Sequence, residues 1–204
     1  SALKKGLDEG NAQFASAMLA STLTQRGIVR AQVIFRSPLG DPRLKDFVKA
    51  ALEDLERSLK LDPKQPEALF FVAQLNRLPG GDARRAGEAL DQAVERSANE
   101  PELRAKILVL RATLAEDAEK KMADLDEAVR LAPSEAAIYR ARGLLRGDLG
   151  RYEESLEDLN KVLELDPEDV VALQAKAIVL GRLKRYEEAL AALEQARRIM
   201  PDSV

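Results

Sequence analysis

The chain has 204 residues, 46% hydrophobic and 33% charged but only 4% aromatic, which suits a folded helical protein with an aliphatic core and excludes disorder or a collagen-like rod. A formal net charge of -3 offers no positive field to phosphate backbones, so nucleic acid is not an expected ligand. Cysteine and histidine are both absent, which removes disulfides, thiol and imidazole catalysis and the usual zinc ligands; no cofactor and no metal is expected.

The first segment, Asp8 to Arg26, spaces Phe14, Ala15, Met18, Leu19, Thr22 and Leu23 as a helix does, and Gly27 after it suits a helix stop. Its uncharged run, Asn11 to Gln25, is shorter than the ~20 residues that span a bilayer. It reads as a packed helix, so neither membrane insertion nor a signal segment is expected. Ile28 to Phe35, IVRAQVIF, is β-branched enough for a short strand, or it continues the helix past Gly27. Helix is preferred, because a lone strand has no sheet to join. SPLGDP, 37–42, is a loop. From Arg43 to Leu61 the spacing of Phe47, Ala50, Ala51, Leu55 and Leu59 gives a second amphipathic helix, closed by Asp62-Pro63.

Glu67 to Leu78 carries apolar residues most of the way round (Ala68, Leu69, Phe70, Phe71, Val72, Ala73, Leu75), so this helix is expected to be largely buried. PGGD, 79–82, is its turn and not a phosphate loop, since no strand precedes it and no Gly-Lys-Ser/Thr follows. Ala83 to Ser97 has one apolar stripe of Ala86, Leu90, Ala93 and Val94. The next helix, Pro101 to Ala115, begins on a proline whose missing N–H would have no partner in a first turn. Met122, Leu125, Ala128 and Val129 mark the one after, which stops at Ala132-Pro133. Residues 135–167 then hold two further helical patterns, and 169–201 repeat them.

The landmarks Pro63, Ala98, Pro133, Pro167 and Pro201 recur every 34 or 35 residues. Each interval holds two helical patterns and a short turn, a hairpin that buries its apolar faces only by stacking on neighbours. Proline punctuates the series because the residue before it is pushed out of the α region. The units run at approximately 8–63, with an insertion at 28–45, then 66–98, 101–133, 135–167 and 169–201, in a single domain spanning 1–204.

These units resemble tetratricopeptide repeats, helix-turn-helix units of 34 residues. The fourth carries Tyr139, Gly143, Leu149-Gly150, Tyr152, Ser155, Leu159, Val162, Leu163 and Asp166-Pro167; the fifth carries Leu173, Ala177, Leu183, Tyr186, Ala189, Leu193, Ala196 and Pro201. The second matches through Leu69, Ala73, Ala86, Leu90 and Ala93, and the first through Leu19, Ala20, Leu23, Gly27, Ala51, Leu55 and Pro63. Between Gly27 and Ala51 the first unit exceeds the family pattern by about nineteen residues. Arg142 beside Gly143 is a variant of bacterial-looking members. The resemblance implies an all-α, right-handed superhelical solenoid. It also implies a protein–protein interaction scaffold, non-catalytic and part of a larger protein, that holds a peptide or protein segment in its concave groove.

Small pairs, Gly143 with Ser155, Ala177 with Ala189 and Ala73 with Ala86, are placed to meet where the helices of a hairpin cross and let the axes approach to roughly 8–10 Å. The third unit has Val109 and Lys121 there and no glycine in its turn, so a looser or shifted hairpin is expected.

Glu153/Glu154 and Glu187/Glu188 fall in first turns, where negative charge complements the helix dipole. Glu157 with Lys161 and Glu116 with Lys120 have the i, i+4 order of an exposed helix face. Nothing resembles the rigid elbow a Ser–Lys hydrolytic dyad needs. Arg140, Arg142 and Arg146 read as a charged face balanced by nearby Glu. By the resemblance, the inner wall of the groove is lined by Phe70, Gln74, Arg77, Lys106, Leu110, Arg140, Leu144, Gln174, Ile178 and Arg182. That mixture suits a peptide with hydrophobic anchors and some acidic character. The Lys/Asn/Arg clamp with which some members hold C-terminal carboxylates is not supported, since Phe70, Gln74, Ile107 and Leu144 stand there. The alternative is a structural module that forms homo-oligomers, or docks an attached domain, through an uncapped C-terminal end, where Val179, Leu183, Leu190 and Ile199 would lie uncovered. No compartment is indicated.

Overall fold

In a computed structural model the described residues, 2–38, 41 and 43–200, are helices and short connections, with no strand among them. Pro201 and three residues of the SPLGDP loop, Leu39, Gly40 and Pro42, lie outside that set. The chain divides into two compact units, Ser1–Leu103 and Arg104–Val204.

The first unit contains α1 (Ala2–Arg36), α2 (Leu44–Leu61), α3 (Pro66–Asn76) and α4 (Ala83–Arg96). Gly27 does not end a helix. It lies inside α1 at the crossing with α2, where an added Cβ would stand 2.6 Å from Leu55 Cγ. The close approach outweighs glycine's poor helix propensity of about 1 kcal/mol. The segment 28–36 is therefore helical, and the long connection reduces to 37–43. Gly27 and Ala51 are 24 positions apart where Gly143 and Ser155 are 12, so the surplus is 12 residues, fewer than expected, taken up by longer helices and this loop.

A buried polar cluster ties three helices of this unit together. Ser58 Oγ donates to Ala20 O (2.8 Å), lies 2.6 Å from Thr24 Oγ1 and accepts from Gln65 Nε2 (2.8 Å). α2 ends at Asp62 in extended backbone, ahead of Pro63. α3 starts on Pro66, and its last residue, Asn76, folds its amide onto Val72 O (2.9 Å) while accepting from Asp82 N (3.3 Å). Gly81 fills that turn, since a Cβ there would meet Asn76 O at 2.3 Å. Asp82 then caps α4 by accepting from Arg85 N. α3 is buried along Ala68, Leu69, Val72, Ala73 and Leu75, whereas Phe70 and Phe71 are half-buried.

The second unit holds most of α5 (Pro101–Leu114), then α6 (Ala118–Leu131), α7 (Ala136–Asp148), α8 (Tyr152–Leu165), α9 (Val170–Arg182) and α10 (Tyr186–Ile199). Its core runs between consecutive hairpins, with Leu156, Leu159 and Val162 of α8 against Ala172, Ala175, Val179 and Leu180 of α9. Gly143 and Ser155 meet as expected: Ser155 Oγ donates to Gly143 O at 2.6 Å, and a Cβ on Gly143 would press on Asp158 Cβ at 3.1 Å. Val179, expected to be uncovered, is buried in this core; Leu183 and Ile199 are half-buried and Leu190 is exposed.

Candidate functional site

The ten residues expected on an inner wall are placed unevenly. In the first unit Phe70 rests edge-to-face on Phe71 (5.7 Å), Gln74 is half-buried, and Arg77 is exposed at the end of α3. In the second unit they form rows 34 residues apart: Lys106, Arg140 and Gln174, and beside them Leu110, Leu144 and Ile178. Leu110 is 9% exposed and belongs to its hairpin's core, whereas Leu144 and Ile178 are 40% and 65% exposed. Lys106 and Arg182 are exposed and Gln174 is half-buried. Arg140 is half-buried and bonded through Nη1 to Asp169 Oδ2. Asp169 also caps α9 by accepting from Ala172 N (2.9 Å), so Arg140 ties α7 to the start of the next hairpin.

Arg142 and Arg146 are held mainly by aspartates, with Glu154 3.6 Å from Arg146, and not by a face of nearby glutamates. They converge from α7 on the buried carboxylate of Asp158 in α8: Arg142 donates through Nε (3.0 Å) and Nη2 (2.7 Å), and Arg146 through Nη1 (2.8 Å). Arg142 also donates to Asp126 (2.7 Å) and lies 5.9 Å from the Tyr139 ring centroid. The hydrogen bonds to Asp158, ahead of those to Asp126, hold the Arg142 guanidinium above its usual pKa despite desolvation.

The first unit repeats this fork. Arg26 donates to Asp54 through Nε (2.7 Å) and Nη2 (2.5 Å), and Arg30 donates to the same carboxylate. Both sets share one pattern, Arg-Gly-x-x-Arg at 26–30 and 142–146, facing Ala-Leu-Glu-Asp-Leu at 51–55 and Ser-Leu-Glu-Asp-Leu at 155–159. α5 and α6 carry a simpler version, Arg111 Nε and Nη2 on Asp124 (2.9 and 2.6 Å). Comparing the two pentapeptide pairs would have revealed these residues from sequence.

Surface charge behaves differently. Glu154 and Glu188 in the first turns of α8 and α10 take bidentate bonds from Arg151 and Arg185, and those bonds hold both carboxyls below the usual glutamate range. Lys161 pairs with Glu164 (2.9 Å), not with the expected Glu157.

A cleft of about 190 Å³ opens among α5, α6 and α7. Val109, Ala112 and Thr113 line it from α5, and Lys121 and Leu125 from α6. α7 contributes Ala141, Leu144, Leu145 and Asp148. It lies where this hairpin has Val109 and Lys121 in place of a small pair. The described residues contain no group of three or more His, Cys, Asp or Glu disposed to hold a metal ion, and no helix long and apolar enough to cross a membrane.

Residues 108–179, which include this cleft and the Arg142–Asp158 fork, match the sequence model of the tetratricopeptide repeat family. Solved tetratricopeptide-type folds extend the likeness to most of the chain. The 41-end segment of MamA from Desulfovibrio magneticus RS-1 is 19% identical and superimposes with a TM-score of 0.71, covering 92% of this chain and 97% of that one. Another MamA structure is 18% identical, TM-score 0.68, over 88% and 92%. YrrB, described as a TPR protein with an unusual peptide-binding site, is 19% identical, TM-score 0.65, over 78% and 80%. At these identities the likeness is one of fold. No curated protein sequence matches the chain.

Proposed function

We infer that this protein is a non-catalytic interaction module that holds a peptide or protein segment against the first helices of its tetratricopeptide hairpins. The observation that carries the reading is the pair Leu144 and Ile178. They occupy the same position in successive hairpins and stay 40% and 65% exposed, while the opposite sides of α7 and α9 are spent on packing. Val171 extends the apolar strip on α9, and the exposed cations Lys106 and Arg182 lie on the same helices or their neighbours. Such a surface suits a segment with apolar anchors and some acidic side chains. The peptide-binding description of YrrB, a protein of the same fold, is in keeping with it. Arg140 contributes less than the resemblance implies, because its guanidinium is already held by Asp169.

The test is affinity capture from the native organism with the full chain, comparing wild type with Leu144→Asp/Ile178→Asp and with Leu165→Asp on α8 as an exposed control. Partners identified by mass spectrometry should be lost with the first variant and kept with the second. Equal capture by all three refutes the reading.

A second reading, self-association, is favoured by Tyr186 and Leu190 of α10. They are 62% and 58% exposed at the positions where, 34 residues earlier, Tyr152 is half-buried and Leu156 is buried by the next hairpin. Light scattering that gives a monomer at high protein concentration would remove it.

A further inference from the structure

The cleft among α5, α6 and α7 is not demanded by the hairpin architecture, because the other hairpins close the equivalent crossing with small residues. Here Val109 and Lys121 stand in place of a small pair, and Leu125, Ala141 and Leu145 line the cleft with them. At about 190 Å³ it falls below the roughly 300–1,000 Å³ of small-molecule and cofactor sites, but it has room for one large side chain. Thr113 adds no charge to it, and its hydroxyl hydrogen is spent on Leu110 O (2.7 Å). Lys121 and Asp148 do. Among the described residues neither forms an ion pair or a side-chain hydrogen bond, with each other or with any other group, although they line the same space from different helices. Lys121, a half-buried residue, and Asp148, an exposed one, thus set opposite charges beside the same apolar lining, an arrangement complementary to a ligand that is apolar in the middle and oppositely charged on its two sides.

We propose that this cleft is an anchor site for a peptide segment of a partner in which one large aliphatic residue enters the cavity, an acidic neighbour pairs with Lys121 and a basic neighbour pairs with Asp148. The proposal rests on the interaction-module reading and sharpens it, because Leu144 belongs both to the cleft and to the exposed strip. It places the deepest contact between hairpins, at the one crossing that lacks a small pair, and it assigns specificity to Lys121 and Asp148, which composition and repeat pattern alone would leave as solvated charges.

The full chain with isotope-labelled Val, Leu and Ile methyl groups can be titrated with the capped tripeptides acetyl-Glu-Leu-Lys-amide and acetyl-Lys-Leu-Glu-amide. The expected result is saturable shifts at Val109, Leu125, Leu144 and Leu145, with one charge order binding about fivefold more tightly than the other. Replacing the central Leu by Ala in that peptide should weaken binding about tenfold or more. Lys121→Gln should remove the preference between the two orders, and Ala141→Leu, which fills the cavity, should abolish the shifts while far-UV circular dichroism stays unchanged. Equal affinity of the two orders for wild type, or an unaltered preference in Lys121→Gln, overturns the charge assignment. Shifts confined to Ile178 leave the inner-wall reading standing and overturn the cleft, as does the absence of any shift.

Discussion

Replacing Asp158 by alanine leaves two guanidiniums facing a carboxylate that is gone. The side chains of Arg142 and Arg146 are only 14% and 12% exposed, so water recovers little of what the carboxylate supplied. Removing one member of a buried pair typically costs 3–5 kcal/mol; because Arg142 retains Asp126 and Arg146 retains Glu154 at 3.6 Å, the low end, about 3 kcal/mol, is expected. The equivalent change at Asp54 removes the same fork in the first unit, but there Arg26 and Arg30 are 54% and 33% exposed and regain hydration. Its loss should therefore be clearly the smaller of the two. Urea unfolding followed by circular dichroism gives both values, and amide exchange along α7 and α8 tests where the damage falls, which matters because stacked repeats need not unfold as one unit. A loss below about 1 kcal/mol for Asp158→Ala, or an Asp54→Ala variant as unstable as Asp158→Ala, would refute the argument.

Glycine substitutions should split by environment. Gly87→Ala, with open space around the added methyl, is expected to stabilise by about 1 kcal/mol, whereas Gly27→Ala, which drives a Cβ into Leu55, should destabilise despite the same gain in propensity; thermal unfolding of the pair decides it. Lys184 adopts φ 61° in the turn where Gly150 has φ 75° one repeat earlier, so Lys184→Gly should stabilise by about 1 kcal/mol, and an unchanged midpoint in urea would count against strain there. Asp41 accepts from Arg43 through its side chain and backbone, which lowers its carboxyl to about 2. Its pairing should persist down through pH 4 and be lost only as pH falls through about 2, measurable as the carboxyl carbon's NMR titration; a midpoint at the usual aspartate value would disprove it.

Much of the fold was legible because its signals are local. Pro63, Pro133 and Pro167 stop helices wherever they stand, and the Ala/Leu stripes of α2, α4 and α8 specify which face turns inward. Gly27 misled because a glycine at a helix end and a glycine at a helix crossing look alike in one sequence, and only the side chain opposite, Leu55, distinguishes them. The site was harder to read for the same reason. Arg140 carries the residue type of a ligand contact, yet its partner is the aspartate that caps the next hairpin, 29 positions away. The cleft follows from what is missing at 109 and 121, and an absence of small residues acquires meaning only beside the hairpins that keep them.

The division of charge between interior forks and rim pairs bears on how the protein responds to its medium. Pairs such as Arg151 with Glu154 and Arg185 with Glu188 sit in solvent and fade as counter-ions accumulate within a Debye length of about 8 Å at physiological ionic strength. The Arg142–Asp158–Arg146 assembly lies where mobile ions do not enter, so its attraction persists in concentrated salt. Brine would thus loosen helix ends well before it loosened the crossing of α7 and α8, which separates fraying from unfolding along a single experimental axis.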